Sequence, residues 1–182
     1  MTGISATERV IDVLMELNVP YMVVGSLSTN VYGVARGTQD ADFVVCLEGV
    51  SLPDIVGRLG PQFQLDPQMT FETVTMTYRF KLSLVGTPFT IELFLLSDDE
   101  FDRLRFSRRR LVEYLDRRVY VPTAEDTIVA KLRWGRKKDL EDVRTVIAVQ
   151  RDGLDWDYIT GWCSKHGSDA VLLDIRRQTD LL

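Results

Sequence analysis

The sequence is poor in the residues on which many metal sites and nucleophilic triads depend. Its 182 residues include one histidine, His166, and two cysteines, Cys46 and Cys163. A single histidine argues against a histidine-based metal site and against a Ser-His-Asp triad. The two cysteines have neither metal-ligand nor disulfide-framework spacing, so we expect reduced thiols in the core.

Long apolar runs are also missing. No stretch approaches the roughly 18 continuous apolar residues that a membrane span requires. The N-terminus lacks a basic region followed by an apolar one, which is the pattern of a secretory signal. We therefore expect a cytoplasmic protein with no membrane partner. A hydrophobic content of 45% over 182 residues is enough for one sizeable core, so a single globular unit is expected.

Basic residues are scarce outside the middle of the chain. Residues 1–100 carry 5 basic and 13 acidic side chains, residues 101–138 carry 12 and 5, and residues 139–182 carry 5 and 9. The middle segment is therefore a candidate to bind a phosphate or a nucleic acid, although a solvated helix face accounts for such segments more often. Arg108–Arg110 are expected on a helix, mostly in solvent.

Hydrophobic periodicity predicts helices and strands in a mixed order. Helices are expected at 6–18, 26–32, 53–60, 97–104, 123–135, 139–150, 155–165 and 168–178, and strands at 19–24, 40–47, 78–85, 89–96 and 117–122. The segment 66–77 is ambiguous: its Thr and Val content favours a strand, whereas Asp66-Pro67 resembles a helix start, and we predict a helix. The pattern predicts an α/β (α+β) protein, with an α/β core at 1–122 and a helical part at 123–182 packed on it.

Two aspartates stand at the start of the strand predicted for 40–47. Because Asp40 and Asp42 are two positions apart, their side chains project from one face about 6–7 Å apart, while Ala41, Phe43 and Val45 face the core. This separation suits divalent metal ions that bridge carboxylates and a triphosphate. The alternative is an exposed strand start at which one of the acids caps a turn.

A third carboxylate is the only charge in the strand "TIELFLL". Glu92 lies on the face opposite to Ile91 and Leu93. A lone buried carboxylate is costly unless it is paired, ligates a metal or stays protonated. If this strand lies beside that of Asp40, Glu92 becomes a third metal ligand, or the base that takes a proton from an acceptor hydroxyl. If the strand lies at the sheet edge, Glu92 faces water.

The dipeptide Gly25-Ser26 ends one predicted strand and opens a helix. Free backbone N–H groups and the positive end of a helix dipole suit a phosphate at such a turn, and glycine allows close approach. The alternative is an ordinary helix start that Ser26 caps. The phosphate-binding interpretation is strengthened by the position of Gly25-Ser26 ahead of the acid pair.

Together these residues resemble the nucleotidyltransferase (DNA polymerase β-like) superfamily, whose signature is an apolar strand, Gly-Ser or Gly-Gly, a helix, an acid-x-acid pair and a later third acid. The segments "VVGSLSTNVYGVARGTQDADFVV", "GTPFTIELFLLSDDEFDRLRFSRRR" and "VPTAEDTIVAKLRWGRKKDLEDV" also resemble small bacterial nucleotidyltransferase-like proteins related to abortive-infection nucleotidyltransferase toxins. The resemblance implies a nucleotidyltransferase fold: a small mixed β-sheet flanked by helices and followed by a helical C-terminal part.

The resemblance also implies an activity and a set of site residues. It implies Mg²⁺- or Mn²⁺-dependent transfer of a nucleoside monophosphate from an NTP to a hydroxyl of tRNA or other RNA, a protein or a small molecule, with release of pyrophosphate. The catalytic and metal-binding residues would be Asp40, Asp42 and Glu92, and the nucleotide-binding residues would be Gly25, Ser26, Arg36, Thr38, Lys131 and Asp139. Glu92 departs from the family, in which an aspartate is common at this position.

Two questions stay open at this point: whether Lys131 belongs to the site, and whether the protein catalyses transfer. In the toxin-like relatives a helical lysine and a following aspartate belong to the site. Lys131 matches the lysine and would contact phosphates, and Asp139, with Asp142 at the next helical turn position, matches the aspartate; Asp139 would orient Lys131 or the acceptor. Lys131 would otherwise lie in a solvated helix end with Arg133 and Lys137. The chain would alternatively be a non-catalytic module that binds a nucleotide or a partner protein, for example one half of a toxin–antitoxin-type pair.

Overall fold

Helices and strands alternate through the first two thirds of the chain, and helices follow. The computed structural model describes residues 1–114 and 117–179. The helices are α1 (Gly3–Glu16), α2 (Gly25–Tyr32), α3 (Leu52–Leu59), α4 (Glu100–Ser107), α5 (Ala124–Trp134), α6 (Lys137–Gln150), α7 (Trp156–His166) and α8 (Asp169–Thr179). The strands are β1 (Tyr21–Val24), β2 (Asp40–Val45), β3 (Phe63–Leu65), β4 (Thr70–Glu72), β5 (Thr77–Leu84), β6 (Thr90–Leu95), β7 (Arg110–Tyr114) and β8 (Arg117–Val121).

Six strands form one mixed sheet with the order β1-β2-β6-β5-β3, and β4 also pairs with β5. Strands β2 and β6 are parallel, and the other neighbouring pairs are antiparallel. In this register Asp42 lies beside Val24 at the end of β1 and beside Glu92 near the start of β6. Strand β6 is therefore an interior strand, and the edge-strand alternative for Glu92 is wrong.

The two faces of β2 belong to different layers, as the alternation of its residues predicts. Ala41, Phe43 and Val45 are fully buried in the main core, where they pack with residues of α1 and α3. On the opposite face Val44 packs with Phe106 of α4. The acids at positions 40 and 42 share this second face. The structure thus places them on the side of the sheet that α4 covers.

The last four helices enclose a second core. Buried residues of α5, α6, α7 and α8 pack there with Phe101 of α4. Helix α5 begins where Thr123 caps it through Asp126 and ends at Gly135, whose φ of +65° is the left-handed conformation that glycine adopts without strain. A division of the chain near residue 122 stays a prediction. No helix in the described part of the chain is long and apolar enough to cross a membrane.

The helix predicted at 66–77 is wrong. Strand β4 runs over Thr70–Glu72, and β5 begins at Thr77 after a tight turn. The carboxylate of Glu72 accepts hydrogen bonds from the backbone N–H groups of Val74 and Thr75 at 2.7 and 2.8 Å, which fixes the turn. These bonds, and pairing with β5, outweigh the helix-start signal of Asp66-Pro67.

The short strands β3 and β7 were not predicted. Strand β7 begins at Arg110 and pairs with β8, so Arg108–Arg110 do not lie on one helix. Arg108 pairs with Asp126 at 3.2 Å, and the Arg109 guanidinium stacks 4.2 Å from the Phe106 ring. Two of the three arginines are therefore engaged inside the protein, which reduces the positive charge that the middle segment offers to a ligand.

Candidate active site

A cavity opens on the acid-bearing face of the sheet, beneath the helical part of the chain. It measures about 980 Å³, counting the space open to solvent. Six of the predicted site residues line it: Gly25, Asp40, Asp42, Glu92, Lys131 and Asp139. Ser26, Arg36 and Thr38 do not line it among the described residues. The sheet, α2, α4, α5 and α6 all contribute to its walls, so the site exists only in the assembled fold.

The three carboxylates of the sequence motif meet at the point where β2 lies between β1 and β6. Asp42 and Glu92 are register partners, and Asp40 is on the same face two residues earlier. Burial, then repulsion from Asp40, then repulsion from Glu92 raise the pKa of Asp42 to about 7. Lys131 and Lys138 lower it. This cluster of like charges is the arrangement that a cation would stabilise.

Glu92 is held by an arginine that the sequence analysis did not single out. Arg79 on β5 donates from Nη1 to Glu92 Oε2 at 2.9 Å. Its guanidinium also lies 5.8 Å from the ring centroid of Phe94. Within residues 1–114 and 117–179, no three His, Cys, Asp or Glu side chains form a ready-made metal site. The third carboxylate therefore shares its charge with Arg79.

The absence of a side chain at Gly25 makes room for the Asp42 carboxylate. Its φ is +65°, a conformation that other residues rarely adopt, and a Cβ at this position would lie 2.0 Å from Asp42 Oδ2. No side chain caps the first turn of α2, because the N-cap residue is Val24. The interpretation of Ser26 as the cap is wrong, since helix α2 already begins at Gly25. The first backbone N–H groups of α2 therefore remain available near the acids.

Replacement of Gly25 by alanine is expected to displace the Asp42 carboxylate and to destabilise the fold by about 1–2 kcal/mol. The added methyl group must occupy the position of Oδ2, and alanine is strained at a positive φ. Urea unfolding measures the loss. Gly37→Ala is the matched control, because a Cβ at that position meets no atom within 4 Å. Equal stability of the two variants would contradict the close contact between Gly25 and Asp42.

The three predicted residues outside the cavity wall support those within it. Thr38 donates a hydrogen bond from Oγ1 to Asp40 Oδ1. Arg36 donates from Nη2 to Ser26 Oγ at 2.8 Å, and from Nε and Nη2 to the two oxygens of Asp142. These contacts tie the start of α2 to α6. In this structure Ser26 binds Arg36, and Arg36 binds Asp142 of α6.

Lys131 is buried between two aspartates. Its Nζ donates to Asp139 Oδ1 at 3.0 Å and to Asp142 Oδ2 at 2.7 Å. The side chain is 7% exposed, so the alternative of a solvated helix end is wrong for this residue. Arg136 donates a further bond to Asp139, at 2.6 Å from Nε. The ammonium group is therefore neutralised within the protein, and its hydrogen bonds go to aspartates.

The surrounding charges set the state of both aspartates. Burial favours the neutral acid, but hydrogen bonds from Arg136 and then the charge of Lys131 lower the pKa of Asp139. Burial is likewise outweighed at Asp142, where hydrogen bonds from Arg36 and Lys131 lower the pKa. Both aspartates are therefore ionised at neutral pH. Lys131, Asp139 and Asp142 are buried, and the more exposed Arg36 and Arg136 pair with the two aspartates. We call these five residues the α5–α6 charge cluster.

Several cavity residues escaped the sequence analysis. They include Arg79 on β5, Asp102 and Arg105 on α4, and Arg136 and Lys138 at the start of α6. The signal for Arg79 was present, because pairing of β5 with β6 puts every second residue of β5 on the face of Glu92. For the α4 and α6 residues no local signal exists, since the contact depends on how the helices pack on the sheet.

The fold is similar to that of several solved structures. ANT(2'')-Ia in complex with adenylyl-2''-tobramycin aligns with a TM-score of 0.64 at 12% identity, over 91% of this chain and 99% of that chain. The chain has the nucleotidyltransferase fold. The lincosamide antibiotic adenylyltransferase LnuA, with lincomycin bound, gives a TM-score of 0.53 at 12% identity over 80% and 96% of the two chains. JHP933 from Helicobacter pylori gives 0.56 at 13% identity over 97% and 88%.

These neighbours confirm the predicted fold class, a small mixed sheet flanked by helices. Neither the protein-family models nor the sequences of curated proteins give a match to the chain. At 12–13% sequence identity these similarities show the fold alone. The chemistry has to be inferred from the residues in the cavity.

Proposed function

We propose that the protein is a Mg²⁺-dependent nucleotidyltransferase that transfers a nucleoside monophosphate from an NTP to a hydroxyl acceptor and releases pyrophosphate. The observation that supports this function is the meeting of three carboxylates and the uncapped start of α2 in one cavity. A phosphate-binding turn beside metal-binding acids is what such a transfer needs.

The NTP phosphates would lie between α2 and α6. Gly25 offers backbone N–H groups at the start of α2, and the cavity wall opposite has Arg136 and Lys138. Lys138 forms no ion pair among the described residues, so its charge is free for a phosphate. In this proposal Lys131 acts through Asp139 and Asp142, because two of its three N–H donors are already bonded to them.

The donor set fits Mg²⁺, or Mn²⁺ in its place. Asp40, Asp42 and Glu92 offer carboxylate oxygens, the ligands that these hard cations prefer. Asp42 accepts no hydrogen bond within the described residues, and its Oδ2 occupies the space that a side chain at position 25 would fill. When bound, the metal would neutralise the acids and the triphosphate and polarise the α-phosphate.

The transfer would proceed by displacement at the α-phosphorus. The acceptor hydroxyl oxygen forms a bond to the α-phosphorus, and the bond from that phosphorus to the bridging α–β oxygen breaks. Pyrophosphate leaves with that oxygen and its electron pair. We assign Glu92 as the group that takes the hydroxyl proton, since Arg79 binds its Oε2 and leaves Oε1 without a hydrogen bond among the described residues.

A second candidate function is nucleotide or partner binding without turnover. It is favoured by the Glu92–Arg79 ion pair, which competes with a metal for the third carboxylate, and by the absence of a ready-made metal group among the described residues. This candidate predicts binding of an NTP with no release of pyrophosphate.

Incubation with each labelled NTP, Mg²⁺ or Mn²⁺, and a panel of acceptors distinguishes the two candidates. The panel holds tRNA, small hydroxyl compounds and two antibiotics: tobramycin, whose 2''-adenylyl derivative is bound in one neighbouring structure, and lincomycin, which is bound in another. The proposed function predicts labelled acceptor and an equal amount of pyrophosphate, both abolished by EDTA. Metal-dependent NTP binding without any labelled product would favour the non-catalytic module.

A further inference from the structure

The end of the cavity next to α4 has a buried ion pair that the transfer reaction does not use. Asp102 and Arg105 both line the cavity and are only 3% and 7% exposed. Arg105 Nε lies 2.7 Å from Asp102 Oδ1, an ion contact without the alignment of a hydrogen bond. The other oxygen of Asp102 accepts a hydrogen bond from Ser97 Oγ at 2.8 Å. Asp102 is thus held from two sides.

The far end of the Arg105 guanidinium has no partner in the described chain. Within residues 1–114 and 117–179, Nη1 and Nη2 make no hydrogen bond, although the guanidinium lies 5.9 Å from the centroid of the Phe101 ring. Unlike Nε, these two nitrogens are not fully buried, and the residue lines the cavity. A guanidinium presents its N–H donors as a planar fork that matches a carboxylate or a phosphate. Donors at so buried a position are costly unless an acceptor reaches them. The arrangement therefore suits an anionic ligand.

The shared cavity limits what the ligand is. Glu92 and Arg105 both line it. One molecule with a hydroxyl at Glu92 and an anionic group at Arg105 would therefore contact both residues. The deep position of Arg105 favours a small molecule over a protein side chain or an RNA strand.

The charges at this end also disfavour a cationic acceptor. Two further carboxylates line this end of the cavity beyond Asp42. Glu92 is already paired with Arg79, and Asp102 is already paired with Arg105. A polycation would meet two guanidinium groups and no unpaired carboxylate at this end. An anion, in contrast, would meet donors from one or both arginines.

We propose that Arg105 forms an acceptor subsite for an anionic group, so that the acceptor is a small hydroxyl compound that also has a phosphate or carboxylate group. This proposal rests on the proposed function, and the transfer step is the displacement described above. The anionic group takes no part in bond making. Arg105 positions the acceptor through it.

The test uses four sugars that differ in charge: glucose, glucosamine, glucuronate and glucose 6-phosphate. The protein is first saturated with Mg²⁺ and a non-hydrolysable NTP, and each sugar is then titrated by calorimetry. At least one anionic sugar is expected to bind ten times or more tightly than glucose, and glucosamine no better than glucose. The stronger of glucuronate and glucose 6-phosphate identifies the anion as a carboxylate or a phosphate.

Variants of α4 assign the preference to one residue. Arg105→Gln should remove the anion preference, and Arg105→Lys should keep part of it. Arg103→Gln is the matched control, since Arg103 is on the same helix but solvent-exposed and paired with Asp98. Asp102→Asn combined with Arg105→Gln removes both buried charges and shows whether any loss is a folding defect, which thermal unfolding reports. An anion preference that survives Arg105→Gln, or no preference in the wild type, would overturn the proposal.

Failure of the subsite and failure of the proposed function give different results. If no NTP binds, the transfer function fails, and the same titrations without the analogue still compare the wild type with Arg105→Gln. If Arg105→Gln weakens the NTP analogue itself about tenfold, Arg105 belongs to the nucleotide site and the acceptor proposal is wrong. If tobramycin or tRNA is labelled better than every anionic sugar, the proposed acceptor class is wrong while transfer stands.

Discussion

Replacement of Asp42 by asparagine is expected to abolish nucleotidyl transfer and, at pH 8, to stabilise the fold. The two effects have one cause, because the carboxylate stands beside Asp40 and Glu92 in a partly buried position. Loss of a metal-binding carboxylate should lower the rate of transfer by roughly 1,000-fold or more. Labelled-NTP transfer measures the first effect, and urea unfolding without divalent cations measures the second.

The stabilisation should depend on pH in a defined direction. Burial and the two neighbouring acids raise the pKa of Asp42 from 3.8 to about 7. Between these values the unfolded chain has an ionised Asp42 while the folded chain keeps it protonated, so the wild type loses stability as pH rises through this window. The gain from Asp42→Asn should be absent near pH 3.8, should grow up to pH 7 and then level off. Because water still reaches the side chain, we expect about 1–2 kcal/mol, less than the full shift would imply.

Asp152→Asn is the control for both measurements, since Asp152 is exposed in the short turn after α6. It should change neither transfer nor the pH dependence of unfolding. Addition of Mg²⁺ should stabilise the wild type at pH 8 and leave Asp42→Asn nearly unchanged, because only the wild type presents the full set of acids. An Asp42→Asn protein that transfers normally, or that is less stable than the wild type at pH 8, would refute the role given to this carboxylate.

The sequence was sufficient for most of the fold because its signals are local. Alternation in "DADFVV" determines which residues of β2 face the core, and the cap at Thr123 with Gly135 bounds α5. The helix predicted at 66–77 is wrong because that prediction also rests on local signals alone. The local signals of this segment conflict, and pairing of β4 with β5, a contact that the segment alone does not reveal, decides the outcome.

Only those parts of the site that strand geometry determines could be predicted from the sequence. The placement of Asp40, Asp42 and Glu92 on one face follows from alternation once β2 and β6 are neighbours. The ion pairs around these acids need further contacts: Arg79 comes from the neighbouring strand β5, and Asp142 is more than a hundred residues from Arg36, to which it binds. The ion pairs of Asp142 with Arg36 and Lys131 depend on how α5 and α6 pack. The resemblance therefore indicated Lys131 and Asp139 as site residues, but not the hydrogen bonds from Arg36 to Asp142 and from Arg136 to Asp139.

Replacement of Lys131 by methionine is expected to destabilise the fold by about 3 kcal/mol. Methionine fills a similar volume, but it removes the cation that both Asp139 and Asp142 bind, and those carboxylates are 0% and 3% exposed. Arg36 and Arg136 remain, so the loss stays below that of a fully orphaned pair. Urea unfolding at pH 7 measures the change in the free energy of unfolding.

Two further variants separate the buried charge from the loss of the side chain. Lys137→Met, at the exposed start of α6, should cost little because Lys137 lies in solvent. Asp142→Asn added to Lys131→Met should recover part of the stability, since it removes one of the two negative charges left behind. If Lys131→Met costs no more than Lys137→Met, the α5–α6 charge cluster does not stabilise the fold, and direct phosphate binding by Lys131 becomes the better explanation of its position in the cavity wall.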